Sequence, residues 1–138
     1  MNWTLEVAQV TVTDVARAKE FYADRVGFVV DHDTTLVDGT TRFVQLTPPG
    51  SGCSIVISTG MVDMAPGSQK GLQLVVNDVR AARAELAARG VEVSEVRVHS
   101  REGLRAARDD DDLNNVGVCS FDDPDGNSWV VQQITARP

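Results

Sequence analysis

The sequence predicts an α+β fold built from two βαβββ repeats, and three observations carry that reading. Val10-Thr11-Val12-Thr13-Asp14-Val15-Ala16-Arg17-Ala18 and Leu74-Val75-Val76-Asn77-Asp78-Val79-Arg80-Ala81-Ala82 align without a gap at an offset of 64 residues. Each copy leads from an alternating apolar strand through an Asp suited to cap a helix. A helical stripe of identical spacing follows, Val15, Ala18 and Tyr22 in one and Val79, Ala82 and Leu86 in the other. Each helix then runs to a glycine, Gly27 or Gly90, with another strand beyond it.

Taken in order, residues 4–59 make the first module: a strand through Val10, the helix from Val15, and a strand at Phe28-Val29-Val30. Asp38-Gly39 marks a tight hairpin between Leu36-Val37 and Phe43-Val44, since both central residues of the tightest turn need positive φ. Pro48-Pro49-Gly50 then turns the chain into Ile55-Val56-Ile57. Residues 60–70, with Met61, Met64, Pro66 and Gly67, read as a linker. Residues 71–135 repeat the pattern, with Val91-Glu92-Val93 as the strand after the helix and Pro124-Asp125-Gly126 as the last turn. The offset there has grown to 76, so the second module carries about a dozen extra residues. They fall at about 100–115, a polar stretch whose run of aspartates, 109–112, reads as a solvated loop, or as a lid attracting a cationic ligand. A half of this size is marginal alone, so residues 1–138 are read as one domain.

The 138 residues are 42% apolar and 24% charged, the composition of a globular protein. Thirteen basic against 20 acidic side chains give a net charge of −7, which excludes a phosphate-rich partner such as nucleic acid. No apolar run approaches the ~20 residues of a membrane span, and the first residues lack signal-peptide shape, so a cytoplasmic address and no membrane partner are expected. Cys53 and Cys119, the only cysteines, read as reduced, buried thiols.

Strand alternation gives the candidate site. Val7, Gln9 and Thr11 share one face, opposite Ala8, Val10 and Val12. The more apolar set belongs under the helix, which turns Gln9 and Thr11 to the other side. The same phase selects Gln73, and on the last strand Ser128 and Gln132, with Trp129 and Val131 opposite. Phe43 and Gln45 alternate with Val44 and Leu46, and the offset of 76 makes Cys119 and Phe121 their counterparts. Amide and hydroxyl groups beside apolar walls suit a small-molecule site. The same faces carry no Asp, Glu, Lys or His placed to move protons. His32 and His99, flanked by polar residues, read as solvent-exposed.

Phe21-Tyr22, three residues, then Val26-Gly27-Phe28, with the closing Asp123-Pro124-Asp125-Gly126-Asn127 in a duplicated βαβββ frame, resembles the vicinal oxygen chelate superfamily, the glyoxalase, bleomycin-resistance and dioxygenase group. That resemblance implies a curved, half-barrel-like mixed sheet enclosing a cavity for a small molecule, often with a divalent metal. It also implies metal ligands seven residues before each capping Asp and seven after the first Asp of the final turn. Those positions hold Val7, Gly71 and Val130, none with a donor side chain. The expectation is therefore a homodimer with no metal and no other cofactor, sequestering an apolar or cationic small molecule. The alternative is a metal-dependent glyoxalase-like lyase or isomerase, or an extradiol-type dioxygenase, with an unusual ligand set.

Overall fold

Asp14 and Asp78 start their helices in the same way, which sets the two repeats in a common frame. Each is extended (φ/ψ −140°/105° and −144°/101°), and each carboxylate accepts from the N–H three residues on, Arg17 at 3.1 Å and Ala81 at 3.0 Å. The computed structural model describes residues 1–136. The expected domain's last two residues, Arg137 and Pro138, lie outside the described residues. The chain divides into two compact units, the first holding Met1–Gln69 with Asp123–Asn127, the second Lys70–Asp122 and the chain from Ser128 on.

In the first unit, β1 (Val7–Thr11), β2 (Val29–Thr35), β3 (Arg42–Thr47) and β4 (Ser54–Ser58) form a sheet ordered β1-β4-β3-β2. In the second, β5 (Leu72–Val76), β6 (Arg97–Ser100), β7 (Gly103–Ala106), β8 (Gly117–Asp122) and β9 (Ser128–Gln133) are ordered β5-β9-β8-β6-β7. The first and last strands of each module pair in parallel and the others are antiparallel. Neither sheet closes into a barrel. The shared order is the expected βαβββ frame, and β7 is an addition. Helices α1 (Val15–Glu20) and α2 (Val79–Ala88) pack on one face of their sheets. Val10, Val44, Leu46, Ile55 and Ile57 are buried in the first unit, and Cys119, Phe121, Trp129 and Val131 in the second.

The first helix continues past Glu20 as a π-helical turn, Phe21–Val26, closed by the N–H of Gly27 on the Tyr22 carbonyl at 3.0 Å. The cause is one residue. Gly27 lies 13 positions after Asp14, while Gly90 lies 12 after Asp78. Widening the helix absorbs the extra residue without moving the cap or the strand that follows.

Four expectations change in detail. The 36–41 connection is a hairpin, but Asp38 does not take positive φ; Gly39 does, at 73°. Instead the Asp38 carboxylate accepts from the N–H groups of Thr40 and Thr41 and from the Thr41 hydroxyl, so a longer loop is held by its own side chain. Val91-Glu92-Val93 is not a strand, and only Val93 makes a single bridge, to Phe121. Beside it the Ser94 N–H donates to the Ser120 carbonyl, the Ser94 hydroxyl accepts from the N–H of Ser120, and Arg83 Nε donates to the Ser94 carbonyl, so side chains supplement a single backbone bond there. The insertion is partly strand, because β7 turns back on β6, and its acidic run is tethered. Both guanidinium ends of Arg105 hold the Asp111 carboxylate at 2.8 and 2.9 Å, while Asp112 accepts from the N–H of Asn114.

The expected linker is also fastened. Gly67 donates its N–H to the Thr11 carbonyl and Gln69 Nε2 donates to the Gln9 carbonyl. A Cβ on Gly67 would lie 2.1 Å from the Asp125 carbonyl oxygen, and φ is +77°, so only glycine fits. Asp125 belongs to the turn between β8 and β9, the segment counted with the first unit. Within that turn Asp123, 5% exposed, accepts at one oxygen from Tyr22 Oη (2.8 Å) and Asn127 Nδ2 (2.8 Å). Its other oxygen accepts from the N–H groups of Asp125 and Asn127. Asn127 Nδ2 also reaches the Thr11 carbonyl, and Thr13 donates to Asp125. The closing motif is thus a buried, fully bonded anchor for β1 and the first helix.

Candidate ligand-binding face

Strand pairing lays the first sheet's face away from α1 (the free face below) out in rows, with Thr11, Ser54, Val56 and Ser58 buried and the strands on either side more open. Thr11 pairs with Ser58, which pairs with Phe43 and, beyond it, Thr34. Gln9, Val56, Gln45 and His32 form the next row. Val7 pairs with Ser54, and Ser54 Oγ lies 2.6 Å from Thr47 Oγ1. All of these point away from α1, whose side holds Val10, Ile57 and Val44. Gln9, Thr11, Phe43 and Gln45 are therefore brought to one surface, in the phase that alternation assigns them. Gln9 and Gln45 stand two strands apart, about 10 Å, with apolar Val56 between them.

This face contains two buried polar atoms without partners, Gln9 Oε1 and Thr11 Oγ1. Thr11 is 1% exposed, so it lies beneath the surface of the face while Gln9, Phe43 and Gln45 are half-buried. A buried polar atom left unmatched costs roughly 1–3 kcal/mol. Native proteins retain few such atoms.

In the second unit, Gln73 pairs with Val130, which pairs with Ser120, and Gln132 lies between Val75 and Val118. Gln73, Ser128 and Gln132 share the face away from α2. Here the amides are chained: Gln73 Nε2 donates to Gln132 Oε1, and Gln132 Nε2 donates to the Asn115 carbonyl at 2.8 Å. Ser128 accepts from the N–H of Gly71.

Cys119 and Phe121 require a correction. Cys119 pairs with Val131 and Phe121 with Trp129, on the side of α2, where both are buried and the Phe121 and Trp129 rings stack at 6.1 Å. The counterparts of Phe43 and Gln45 are Val118 and Ser120. The ladders align β3 with β8 at an offset of 75 and β4 with β9 at 74, so the offset of 76 read between the two turn sequences is one residue too many along β8. One residue reverses every side chain. Burial pushes the Cys119 thiol up, the wrong direction for a nucleophile.

One residue escaped the sequence reading altogether. Asp31 reaches the first unit's free face, where its carboxylate accepts from the Thr47 hydroxyl. The signal is a bulge in β2 between Val30 and His32, which regular alternation does not reveal. His32 is exposed in register with Gln45, and His99 is exposed on β6. Val7, Gly71 and Val130 offer no metal donor. Among the described residues no three or more His, Cys, Asp or Glu side chains gather where they could hold an ion. The residues present do not fit the divalent centre of the resembling family.

The two βαβββ units match known proteins over nearly their whole length. The family model described as the Glyoxalase/Bleomycin resistance protein/Dioxygenase superfamily covers residues 4–131. TnmS3, an antibiotic binding protein from Streptomyces sp. CB03234, is 32% identical with a TM-score of 0.74, covering 96% of this chain and 97% of that one. A glyoxalase/bleomycin resistance protein from the same organism is also 32% identical, with a TM-score of 0.71 and coverage of 94% and 100%. A superfamily member from Sphaerobacter thermophilus DSM 20745, at 24% identity and a TM-score of 0.74, shares the fold over 96% and 98%. No curated protein matches the chain. The chain belongs to the glyoxalase/bleomycin resistance protein/dioxygenase superfamily, whose fold is that of the vicinal oxygen chelate proteins.

Proposed function

We propose that this protein binds a small apolar or cationic molecule, without a metal ion, on the free face of its first sheet. The observation that carries the reading is the pair of unpartnered atoms, Gln9 Oε1 and Thr11 Oγ1, on a face otherwise built of Val56, Phe43 and the Gln45 amide. A ligand supplying hydrogen-bond donors to such atoms recovers free energy that the free protein forgoes. The antibiotic-binding relative at 32% identity supports the same reading.

Binding needs no proton transfer, and the face has the amides and apolar area that recognition uses. Gln9 and Gln45, both half-buried and about 10 Å apart across the buried Val56, are the amides a bound molecule would meet. We further read the protein as a cytoplasmic homodimer. Support comes from two free thiols and from the exposed apolar side chains Val75 and Leu104 on the second sheet. Sedimentation of the untagged chain tests the dimer, and a single monomeric species at micromolar concentration would reject it.

A thermal-shift and calorimetric screen of antibiotic-like small molecules tests the main reading. A true ligand at a hundred times its Kd contributes about 2.7 kcal/mol, a rise of several degrees in Tm. EDTA should leave both Tm and affinity unchanged. Ligand affinity that disappears on chelation and returns with Zn²⁺ or Mn²⁺ would overturn the metal-free reading.

A further inference from the structure

Asp31 and Asp33 lie two residues apart in β2 and would share one face of a regular strand. The bulge separates them. Asp33 keeps register with Val44 on the α1 side, where its carboxylate holds Lys19 Nζ at 2.8 Å and Arg42 Nη2 at 2.7 Å. Asp31 turns to the free face, where Thr47 Oγ1 donates to its Oδ2. Thr47 has a single hydroxyl proton and gives it to that carboxylate. Ser54 must therefore be the donor across its 2.6 Å contact with Thr47. The relay from Ser54 through Thr47 to Asp31 runs in one direction, and each bond strengthens the next. It begins at a buried hydroxyl, since Ser54 is 7% exposed, and ends on a carboxylate open to solvent.

The carboxylate is thus oriented but not neutralised. Among the described residues no Lys or Arg pairs with Asp31, and the hydrogen bonds leave its Oδ1 without a donor. Further along the same face are the unpartnered Gln9 Oε1 and, beneath the surface, the hydroxyl of Thr11, a residue 1% exposed. A solvent-open carboxylate with no cation of its own, beside the Gln9 amide, favours a molecule that brings donors and positive charge.

We propose that Asp31 is the anchoring counter-charge for a protonated amine of the bound molecule, held in position by Thr47 and Ser54. This rests on the reading of the first unit's free face as the binding face and narrows its ligand to a cationic one. Asp33 has no part in it, because both of its cations are already supplied by the chain.

The experiment uses two flat tricyclic probes, 9-aminoacridine, cationic at neutral pH, and neutral 9(10H)-acridone. Each is titrated by fluorescence into the full-length protein at low salt. The wild-type protein should prefer the cation by about tenfold. Asp31→Asn, which keeps an acceptor for Thr47, should remove most of that preference while changing acridone affinity less than about twofold. Thr47→Val should reduce the preference about threefold, and Asp33→Asn should leave it intact. A wild-type protein with no preference, or a preference unchanged in Asp31→Asn, overturns the proposal and leaves the binding reading standing. Binding of neither probe overturns both.

Discussion

The two sheets offer equivalent rows and use them in opposite ways. Gln9, Val56 and Gln45 on the first correspond to Gln73, Val130 and Ser120 on the second. In the second row the exposed Gln73 amide donates to Gln132, which donates to the Asn115 carbonyl, so among the described residues no buried polar atom there is left without a partner. In the first row Gln9 Oε1 has no partner, and the strand beyond adds an ion-unpaired carboxylate at Asp31. Duplication supplies the positions in both copies. Partnering decides which copy keeps polar atoms for another molecule.

The largest expected effect comes from the segment that lets the first unit have this face at all. Asp123 accepts four hydrogen bonds under burial, from Tyr22, Asn127 and two backbone N–H groups. Asp123→Ala strands those donors and should cost about 3–5 kcal/mol, read as a lowered urea midpoint. Hydrogen exchange should show β1 losing protection before the middle of β8 and β9. A loss under about 1 kcal/mol would mean that the turn does not anchor the first unit.

A sharper contrast comes from matched substitutions of the two glutamines. Gln9→Leu removes an unmatched buried atom, so stability should hold or rise by up to about 1 kcal/mol while ligand affinity falls five- to tenfold. Gln73→Leu breaks a satisfied pair, should cost less than about 1 kcal/mol, and should leave affinity within about twofold. Calorimetric titration and urea unfolding of both variants measure this. The reverse pattern would move the binding face to the second unit. Thr11→Val should behave like Gln9→Leu in stability, with a gain of about 1 kcal/mol, because an apolar side chain of the same shape replaces an orphaned hydroxyl.

These predictions mark where the sequence was readable. The repeat, both Asp caps and the phase of β1, β3, β5 and β9 follow from short-range rules, and Gln9, Gln45, Gln73 and Gln132 fall on the faces those rules assign. What escaped was each place where a single residue enters or leaves. The extra residue before Gly27 became a π-helical turn, and an offset of 75 instead of 76 between β3 and β8 reversed the expected sides of Cys119 and Phe121. The bulge in β2 put Asp31 on a face thought to lack carboxylates. Period-two reasoning has no memory of such insertions, so an error of one position carries to the end of the strand. The partners of Thr11 were equally invisible, since its carbonyl bonds to Gly67 and Asn127, both distant in sequence.

The smallest effect concerns pH, and it compares the charge clusters of the two units. Arg42 and, after it, Lys19 hold Asp33 well below the usual carboxylate range, chiefly through their hydrogen bonds, and Arg105 does the same for Asp111. In the 36–41 hairpin, bonds from Thr41 and Thr40 lower Asp38 to about 2. In each case the unfolded chain, with an Asp pKa near 3.9, takes up the proton first as pH falls. The stabilisation is fully present above about pH 5 and drains away as pH drops through 4 toward the folded values. Asp33→Asn should therefore flatten the acid side of the stability curve in the first unit, and Asp111→Asn in the second. At pH 7 the Asp33 contribution should stay below about 1 kcal/mol, because Lys19 and Arg42 remain 35% and 36% exposed and water screens them. Urea midpoints from pH 2.5 to 7 measure both slopes. Asp33→Asn should alter the slope without touching the cation preference assigned to Asp31, since the bulge keeps the two carboxylates on opposite faces. A loss of that preference in Asp33→Asn would show that the faces are not electrostatically separate.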